Sequence, residues 1–428
     1  MATPTTQIQD VLNGRHTGQR VALEGWVYRK RSGKTVVFIL VRDATGVLQC
    51  TAKPESLAWA DAETVTIESS IKLSGTVRKD DRAPGGYELS LDQLKIVGQA
   101  EQFPITKDQS VEFLRDVRHL WLRSQKMTQI MKVRSAALKY THELFRRQGY
   151  VEVSPPMFIS SAVEGGATLF ALKYFDQDLY LTQSAQLHLQ ALIYSLMKVY
   201  CVAPSFRAEK SRTIRHLTEY WHIEAEAAFA TIDDMMRLEE DLVSYVCQKV
   251  AENHAEELKA LGVAKQNLMD VKPPFARITY DDAIDRLHHK GFDVKRGDDF
   301  GFSEEKALAE ELGPVFVYAY PKEIKAFYCK TYPENPNLVM SVDLIVPKIG
   351  ELTTGGARVD DTEELTTRLK ECGLSEKDYD WYIDLRKYGT VPHAGFGLGA
   401  ERLLAWMLDL DNVMETIPFP RTIRRFYP

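Results

Sequence analysis

No stretch of this chain approaches the roughly 18 uninterrupted apolar residues that a membrane-spanning helix needs, so no membrane partner is expected. Met1 to Arg20 is polar and holds no apolar signal core, which points away from secretion. Cysteine is scarce. Cys50, Cys201, Cys247, Cys329 and Cys372 are scattered, odd in number and never spaced Cys-x-x-Cys, which excludes a disulfide framework or a zinc ribbon and predicts reduced thiols in a cytoplasm. Neither sign of charge dominates. With 54 basic and 60 acidic residues the net charge is -6, so any sign of a nucleic-acid partner must come from local distribution. There is no internal repeat and no low-complexity tract. Strands and helices do not alternate regularly, which weakens a Rossmann reading. What remains is a soluble globular composition, 44% apolar and 27% charged. At 428 residues it is too long for one ordinary core, and two or three domains are expected.

The first hundred residues read as β. Val21–Tyr28, Val36–Val41, Val47–Thr51, Ser70–Val77 and Tyr87–Leu91 are short, partly alternating runs, separated by turn signals such as Ser32-Gly33-Lys34 and Ala83-Pro-Gly-Gly86. Five such strands predict a small barrel of the oligonucleotide-binding kind over residues 1–101. This part is locally basic: Arg20 to Lys53 holds seven basic residues against two acidic ones. An irregular stretch, 102–125, reads as a hinge.

From Met127 the pattern changes. Ile130, Val133, Ala136, Ala137, Tyr140, Leu144 and Phe145 recur at helical spacing, with Gly149 as a stop signal. Mixed strands and helices follow to Pro428, with amphipathic helix between Thr231 and Leu261. Three segments of this second domain (126–428) are informative together. The first is the helix before Gly149 and then Tyr150-Val-Glu-Val-Ser-Pro-Pro156. The second is Ser205-Phe-Arg-Ala-Glu209, a charged stretch through Arg215-His-Leu-Thr-Glu-Tyr-Trp221, and Ile223-Glu-Ala-Glu226. The third is Gly395-Phe-Gly-Leu-Gly-Ala-Glu-Arg402. The second segment reads as two strands joined by a basic loop, able to hold an arginine over a phosphate while a ring stacks on a base. The third reads as a glycine-rich strand end leading into a helix with an arginine on its first turn. Phe-Arg-Ala-Glu alone is a common surface tetrapeptide, and Gly395 to Arg402 alone could be a packing device.

In this order and spacing, the three resemble motifs 1, 2 and 3 of the class II aminoacyl-tRNA synthetases, and most closely the aspartyl and asparaginyl subgroup. The resemblance covers nearly the whole chain, since that subgroup places an anticodon-binding barrel before its catalytic domain. It implies an α+β fold, with a five-stranded oligonucleotide-binding barrel followed by an antiparallel catalytic sheet flanked by helices. It also implies ATP and Mg²⁺ as cofactors and a homodimer formed around Pro156. Arg207 would then hold the α-phosphate of ATP and Glu209 the adenine side. Tyr220 would stack on the base, and Arg402 would hold the γ-phosphate. Arg215 and His216 would belong to the same ATP site. Asp343 and Glu351 would bind Mg²⁺; without the resemblance they read as an ordinary solvated strand end. Such chemistry needs positioning and charge neutralisation but no protein nucleophile, and no catalytic triad is evident.

Glu164, Ser184 and Gln186 would hold the α-amino end of the amino acid, and Arg358 its side-chain carbonyl. Aspartyl enzymes carry a lysine where this chain has Leu189, and an aspartate where it has Glu224. Arg358 and Glu224 without that lysine present one donor and one acceptor, which matches a carboxamide. His393, followed by Ala394, would line the same pocket; a packed, satisfied core histidine is the plainer reading. L-asparagine and tRNA(Asn) are therefore the expected substrates. The pocket loop departs from the asparaginyl pattern: Lys348 and Thr354 stand where glycines are expected, and Thr353 where an aliphatic residue is. In the barrel, Arg31, Phe38 and Gln49 would read the middle anticodon base, Phe38 by stacking and the others at its edge. No DNA partner is expected. An aspartyl enzyme of relaxed specificity, an amidating relative that makes asparagine, and a plain single-strand binder with a decayed catalytic domain are the competing readings.

Overall fold

A computed structural model describes residues 5–163, 168–210 and 213–428. The chain forms two compact units, Met1–Val117 and Arg118–Pro428, and the division falls inside the stretch read as a hinge. That stretch is partly helical. Ser110 caps a helix at Val111–Asp116, and Arg118–Trp121 forms another turn.

In the first unit all five expected strands are present. β1 (Arg20–Ser32), β2 (Val37–Arg42), β3 (Val47–Ala52), β4 (Ser70–Lys79) and β5 (Tyr87–Gly98) close a barrel in the order β1-β2-β3-β5-β4. Alternation drives this closure. Val21, Leu23 and Val27 point inward with Ile39, Val41, Leu48, Ile71 and Leu89, while their neighbours face out. The parallel pairing of β3 with β5, Gln49 opposite Glu88, removes the last free edge. Two short helices, Ile8–Leu12 and Trp59–Thr64, add Ile8, Val11 and Ala62 to the same core. They were not expected from the sequence, because five or six residues are too few to display a helical period.

The second unit is built on a large sheet. From one edge its strands run Ala276–Thr279, Val315–Pro321, Asn335–Val346, Gly350–Ala357, His393–Gly399, Glu219–Ala228, Lys198–Phe206 and Val151–Glu152. The six central strands are mutually antiparallel, and each outermost strand is parallel to its neighbour. This is the expected α+β arrangement. The motif 1 helix, Gln125–Arg147, begins at the Ser124 cap and stops just before Gly149, as its periodicity predicts. The stretch expected to be helical after Thr231 forms Ile232–Asn253, with Thr231 and Asp234 as a capping box, and Ala255–Ala260.

Candidate active site

The motif 2 strands are Lys198–Phe206 and Glu219–Ala228, paired with Ser205 opposite Tyr220 and Cys201 opposite Glu224. A strand alternates its side chains, so Tyr220, His222 and Glu224 share one face while Ile223, Ala225 and Ala227 pack behind it. The motif 3 strand, His393–Gly399, runs alongside with Gly395 opposite Glu226 and Gly397 opposite Glu224. A β-carbon on Gly395 would come 2.1 Å from Glu226 Cδ, and one on Gly397 2.5 Å from His222 Nε2. These glycines clear space for the functional side chains of the neighbouring strand. Arg402 then emerges on the first turn of the helix Ala400–Met407.

The face opens into a cavity of about 270 Å³. Arg207, Glu209, Arg215, His216, Tyr220, Glu351 and Arg402 all line it, and so do Ser184, Gln186, Glu224 and Arg358. Eleven expected site residues, far apart in the chain, thus meet in one place. Glu164 lies outside the described residues.

At one end the chemistry suits a nucleotide. The Arg207 guanidinium lies 5.8 Å from the centre of the Tyr220 ring and 3.9 Å from Glu209. Arg402 donates from Nη1 to both the backbone carbonyl (2.7 Å) and the carboxylate (2.8 Å) of Glu351. Burial works to raise the Glu351 pKa, but Arg402, Lys325, Arg207 and Arg215 outweigh it and hold this carboxylate ionised. Arg215 pairs with buried Glu305, which also accepts from the Glu351 amide at 3.0 Å. Burial, and then Arg402, Arg215 and Arg207, push the His216 imidazole down to about 4, so it is neutral at physiological pH.

At the other end the chemistry suits a small zwitterion with a polar tip. Glu224 accepts from the Ser184 hydroxyl and from the Ala185 amide at 2.8 Å. The Gln186 amide nitrogen is buried and has no hydrogen-bond partner among the described residues. Arg358 donates through Nε (3.0 Å) and Nη2 (2.7 Å) to one oxygen of Glu226. Both groups are almost fully buried, so each fixes the other in place.

Two expected residues are not on the cavity wall. His393 lies one layer behind it. Its ring meets the Val391 carbonyl at 2.7 Å and Gln190 Oε1 at 2.9 Å, and its own carbonyl accepts from the Arg358 amide at 2.9 Å. Burial and Arg386 hold its pKa down to about 3, so it is a neutral brace behind the arginine. Asp343 is buried beneath the wall and accepts from Lys325 at 2.6 Å; Lys325 itself faces the cavity. The sequence reading missed Lys325, Tyr328, His222 and Thr354 on the wall. His222 and Thr354 sit beside chosen residues on strands of known alternation. Lys325 and Tyr328 carry no local signal, because a turn far along the chain delivers them.

Two of the three unusual loop residues find a physical reason, and nothing in the structure explains Thr354. Lys348 has φ 67, in the left-handed region that favours the glycine expected there, and its ammonium pairs with Asp409. Thr353 faces away from the cavity, where its hydroxyl donates to Glu239 on the helix Ile232–Asn253. Glu239 is fully buried, and burial pushes its carboxyl up to about 8. A carboxyl raised in this way is protonated when folded but ionised when unfolded between its ordinary value and about 8. Its contribution is therefore complete below about 4.5 and declines as pH rises through about 8. In thermal melts across this range, Glu239→Gln should remove that part of the pH dependence. A variant whose melting profile parallels the parent at every pH would refute this role for Glu239.

The barrel carries a second concavity, of about 1230 Å³ and lined by Arg31, Phe38 and Gln49. Arg31 pairs across strands with Phe38 and holds its guanidinium 5.1 Å from the ring centre. Gln49 donates to Glu88 at 3.2 Å. Lys30, part of the basic cluster Arg29-Lys30-Arg31, is differently engaged. Its ammonium donates to the carbonyls of Glu63 (2.6 Å) and Val65 (2.9 Å), at the C-terminal end of the helix Trp59–Thr64.

Comparison with known proteins agrees with this geometry. Residues 110–423 match the class II tRNA synthetases (D, K and N), and residues 21–97 match the OB-fold nucleic acid binding domain. Asparagine–tRNA ligase of Thermococcus gammatolerans is 50% identical over 415 residues, 96% of each chain. The chain belongs to the class II asparaginyl-tRNA synthetases. Asparaginyl-tRNA synthetase of Pyrococcus horikoshii, complexed with asparaginyl-adenylate, superposes with a TM-score of 0.96 at 45% identity, covering 99% of this chain and all of that one. The Entamoeba histolytica asparaginyl-tRNA synthetase complex with the same adenylate gives 0.91 at 31% identity, covering all of both chains. Membership of this synthetase family thus rests on both domains and on nearly the whole length of the chain.

Proposed function

We propose that the chain ligates L-asparagine to tRNA(Asn) through an asparaginyl-adenylate. The observation that carries this reading is the single cavity joining Arg207, Tyr220, Glu351 and Arg402 to Glu224 and the Arg358–Glu226 pair. A carboxylate oxygen of asparagine attacks the α-phosphorus of ATP, the bond to the bridging oxygen breaks, and pyrophosphate leaves. A terminal ribose hydroxyl of the tRNA then attacks the acyl carbon and AMP leaves. Arg207 stabilises charge developing at the α-phosphate, Arg402 holds the outer phosphates, and Tyr220 offers its ring to adenine. Ser184 and Gln186 orient the amino-acid backbone. The asparagine carboxamide donates to Glu224 and accepts from Arg358, a pairing that an aspartate carboxylate cannot match.

The charge pattern fits a hard dication such as Mg²⁺. Glu351 is an ionised oxygen donor facing the cavity and would hold the ion, whereas Asp343 lies behind the wall and is held by Lys325. Bound Mg²⁺ would neutralise the phosphates. In the barrel, Phe38 stacks on the middle anticodon base while Arg31 and Gln49 hydrogen-bond its edge. The edge strand Val151–Glu152 and exposed Pro156, Met157 and Phe158 support a homodimer through motif 1, which sedimentation as a monomer would refute. All five cysteines are free, in keeping with a reducing cytoplasm.

Asparagine should support ATP–pyrophosphate exchange in the presence of Mg²⁺, with aspartate weaker by roughly 10⁴-fold. Side-by-side exchange with both amino acids tests it. Equal or better exchange with aspartate would overturn the substrate assignment.

A further inference from the structure

One wall of the nucleotide end is not supplied by any of the three motifs. Val413, Thr422 and Ile423 line the cavity alongside Arg207, Tyr220 and Arg402. They belong to the last stretch of the described chain, which has almost no regular structure: a single turn at Val413–Glu415, then bends and one bridge at Arg421.

This stretch is anchored twice. On one side it is bonded to the motif 2 loop and strand. The Val413 amide donates to the Ile214 carbonyl at 3.0 Å, the Thr218 amide donates to the Arg421 carbonyl at 2.9 Å, and Arg421 forms a β-bridge with Glu219. On the other side, Arg118, only 2% exposed, donates to the carbonyls of Met414 (3.0 Å), Ile417 (2.7 Å) and Pro418 (2.8 Å). Arg134 adds a bond to the Thr416 carbonyl at 3.1 Å and an ion pair with Glu401 at 2.7 Å. Glu401 in turn accepts from the Trp221 amide at 2.9 Å. A buried guanidinium that satisfies several backbone carbonyls fixes a segment with no ladder of its own.

We infer that the segment 413–423 is a clasp. It holds the second half of the motif 2 loop, Ile214 to Glu219, against the nucleotide end, and it places Ile423 against the purine or ribose of ATP. This rests on the proposed ATP-dependent ligation. Ile423 is 43% exposed although it borders a cavity, which is the situation of an apolar side chain that a ligand covers. Because it is exposed, its replacement leaves the core intact.

The test compares Ile423→Asp and Ile423→Leu with the parent chain. Mg·ATP binding is measured by calorimetry, and ATP and asparagine KM values by pyrophosphate exchange. Ile423→Asp should weaken ATP binding and raise the ATP KM by about tenfold or more, with the asparagine KM within about twofold, and Ile423→Leu should restore both. Unchanged ATP affinity in Ile423→Asp would overturn the clasp, as would equal weakening of ATP and asparagine. If the parent binds ATP but gives no exchange with asparagine, the ligation reading fails, while calorimetry still decides the role of Ile423.

Discussion

Arg207→Ala should lower asparagine-dependent ATP–pyrophosphate exchange by about 100- to 1000-fold while leaving tRNA binding largely unchanged. The guanidinium stands at the end of the motif 2 strand, over the face of Tyr220 and close to Glu209, and about a third of its side chain is exposed. It therefore contributes little to folding, and its loss is felt where negative charge builds at the α-phosphate. No neighbour can replace it. Arg215 is engaged by Glu305, and Arg402 by Glu351. Arg207→Lys should fall between the two, because an ammonium retains the charge but loses the two-pronged donor geometry. tRNA binding should survive because the barrel, with Arg31, Phe38 and Gln49, is a separate compact unit. Exchange at the parental rate in Arg207→Ala would reject the assignment, and a gel-shift assay with tRNA supplies the second readout.

Leu189→Lys should destabilise the catalytic unit by about 4 kcal/mol or more without creating an aspartate enzyme. Position 189 is where the aspartyl pattern carries its carboxylate-binding lysine, so sequence comparison alone would suggest a specificity switch. The structure indicates a different result. Leu189 is fully buried in an apolar cluster with Ala185, Ile193, Val199, Cys201 and Val391, and it is not on the cavity wall. An ammonium there loses its water and gains no partner within the cluster. The depressed lysine pKa makes the penalty largest at low and neutral pH, and the penalty fades as pH rises toward the ordinary lysine range. Urea denaturation at two pH values measures it. A parental midpoint together with new aspartate-dependent exchange would show that the side chain reaches the pocket after all.

Much of this site was legible in the sequence because its parts are local signals. The motif 2 residues alternate on one strand, so choosing Tyr220 and Glu224 already places them on one face. Gly395 and Gly397 announce a close approach, and Arg402 follows on the first helical turn. Other features left no such trace. Lys325 reaches the wall from a turn, His393 slips one layer behind Arg358, and the 413–423 clasp depends on Arg118, about 300 positions away along the chain. Thr353 departs from the family pattern because its partner, Glu239, lies 114 positions away on the helix behind the sheet.

By itself the sequence determined the barrel, the order of the three motifs, the ligase chemistry and the preference for a carboxamide. The barrel and the motifs depend on residue type at short spacing, which strand and helix periods convert directly into a face, while the chemistry and the carboxamide were implied by the family those motifs resemble. Only the tertiary structure decided which charges face the cavity and which are held by buried partners. It alone separated Glu351 from Asp343, paired Arg358 with Glu226, assigned Lys30 to a helix end, and placed Leu189 in the core. The physical reason is that burial and ion pairing are set by which distant strands lie side by side, and no local period encodes that.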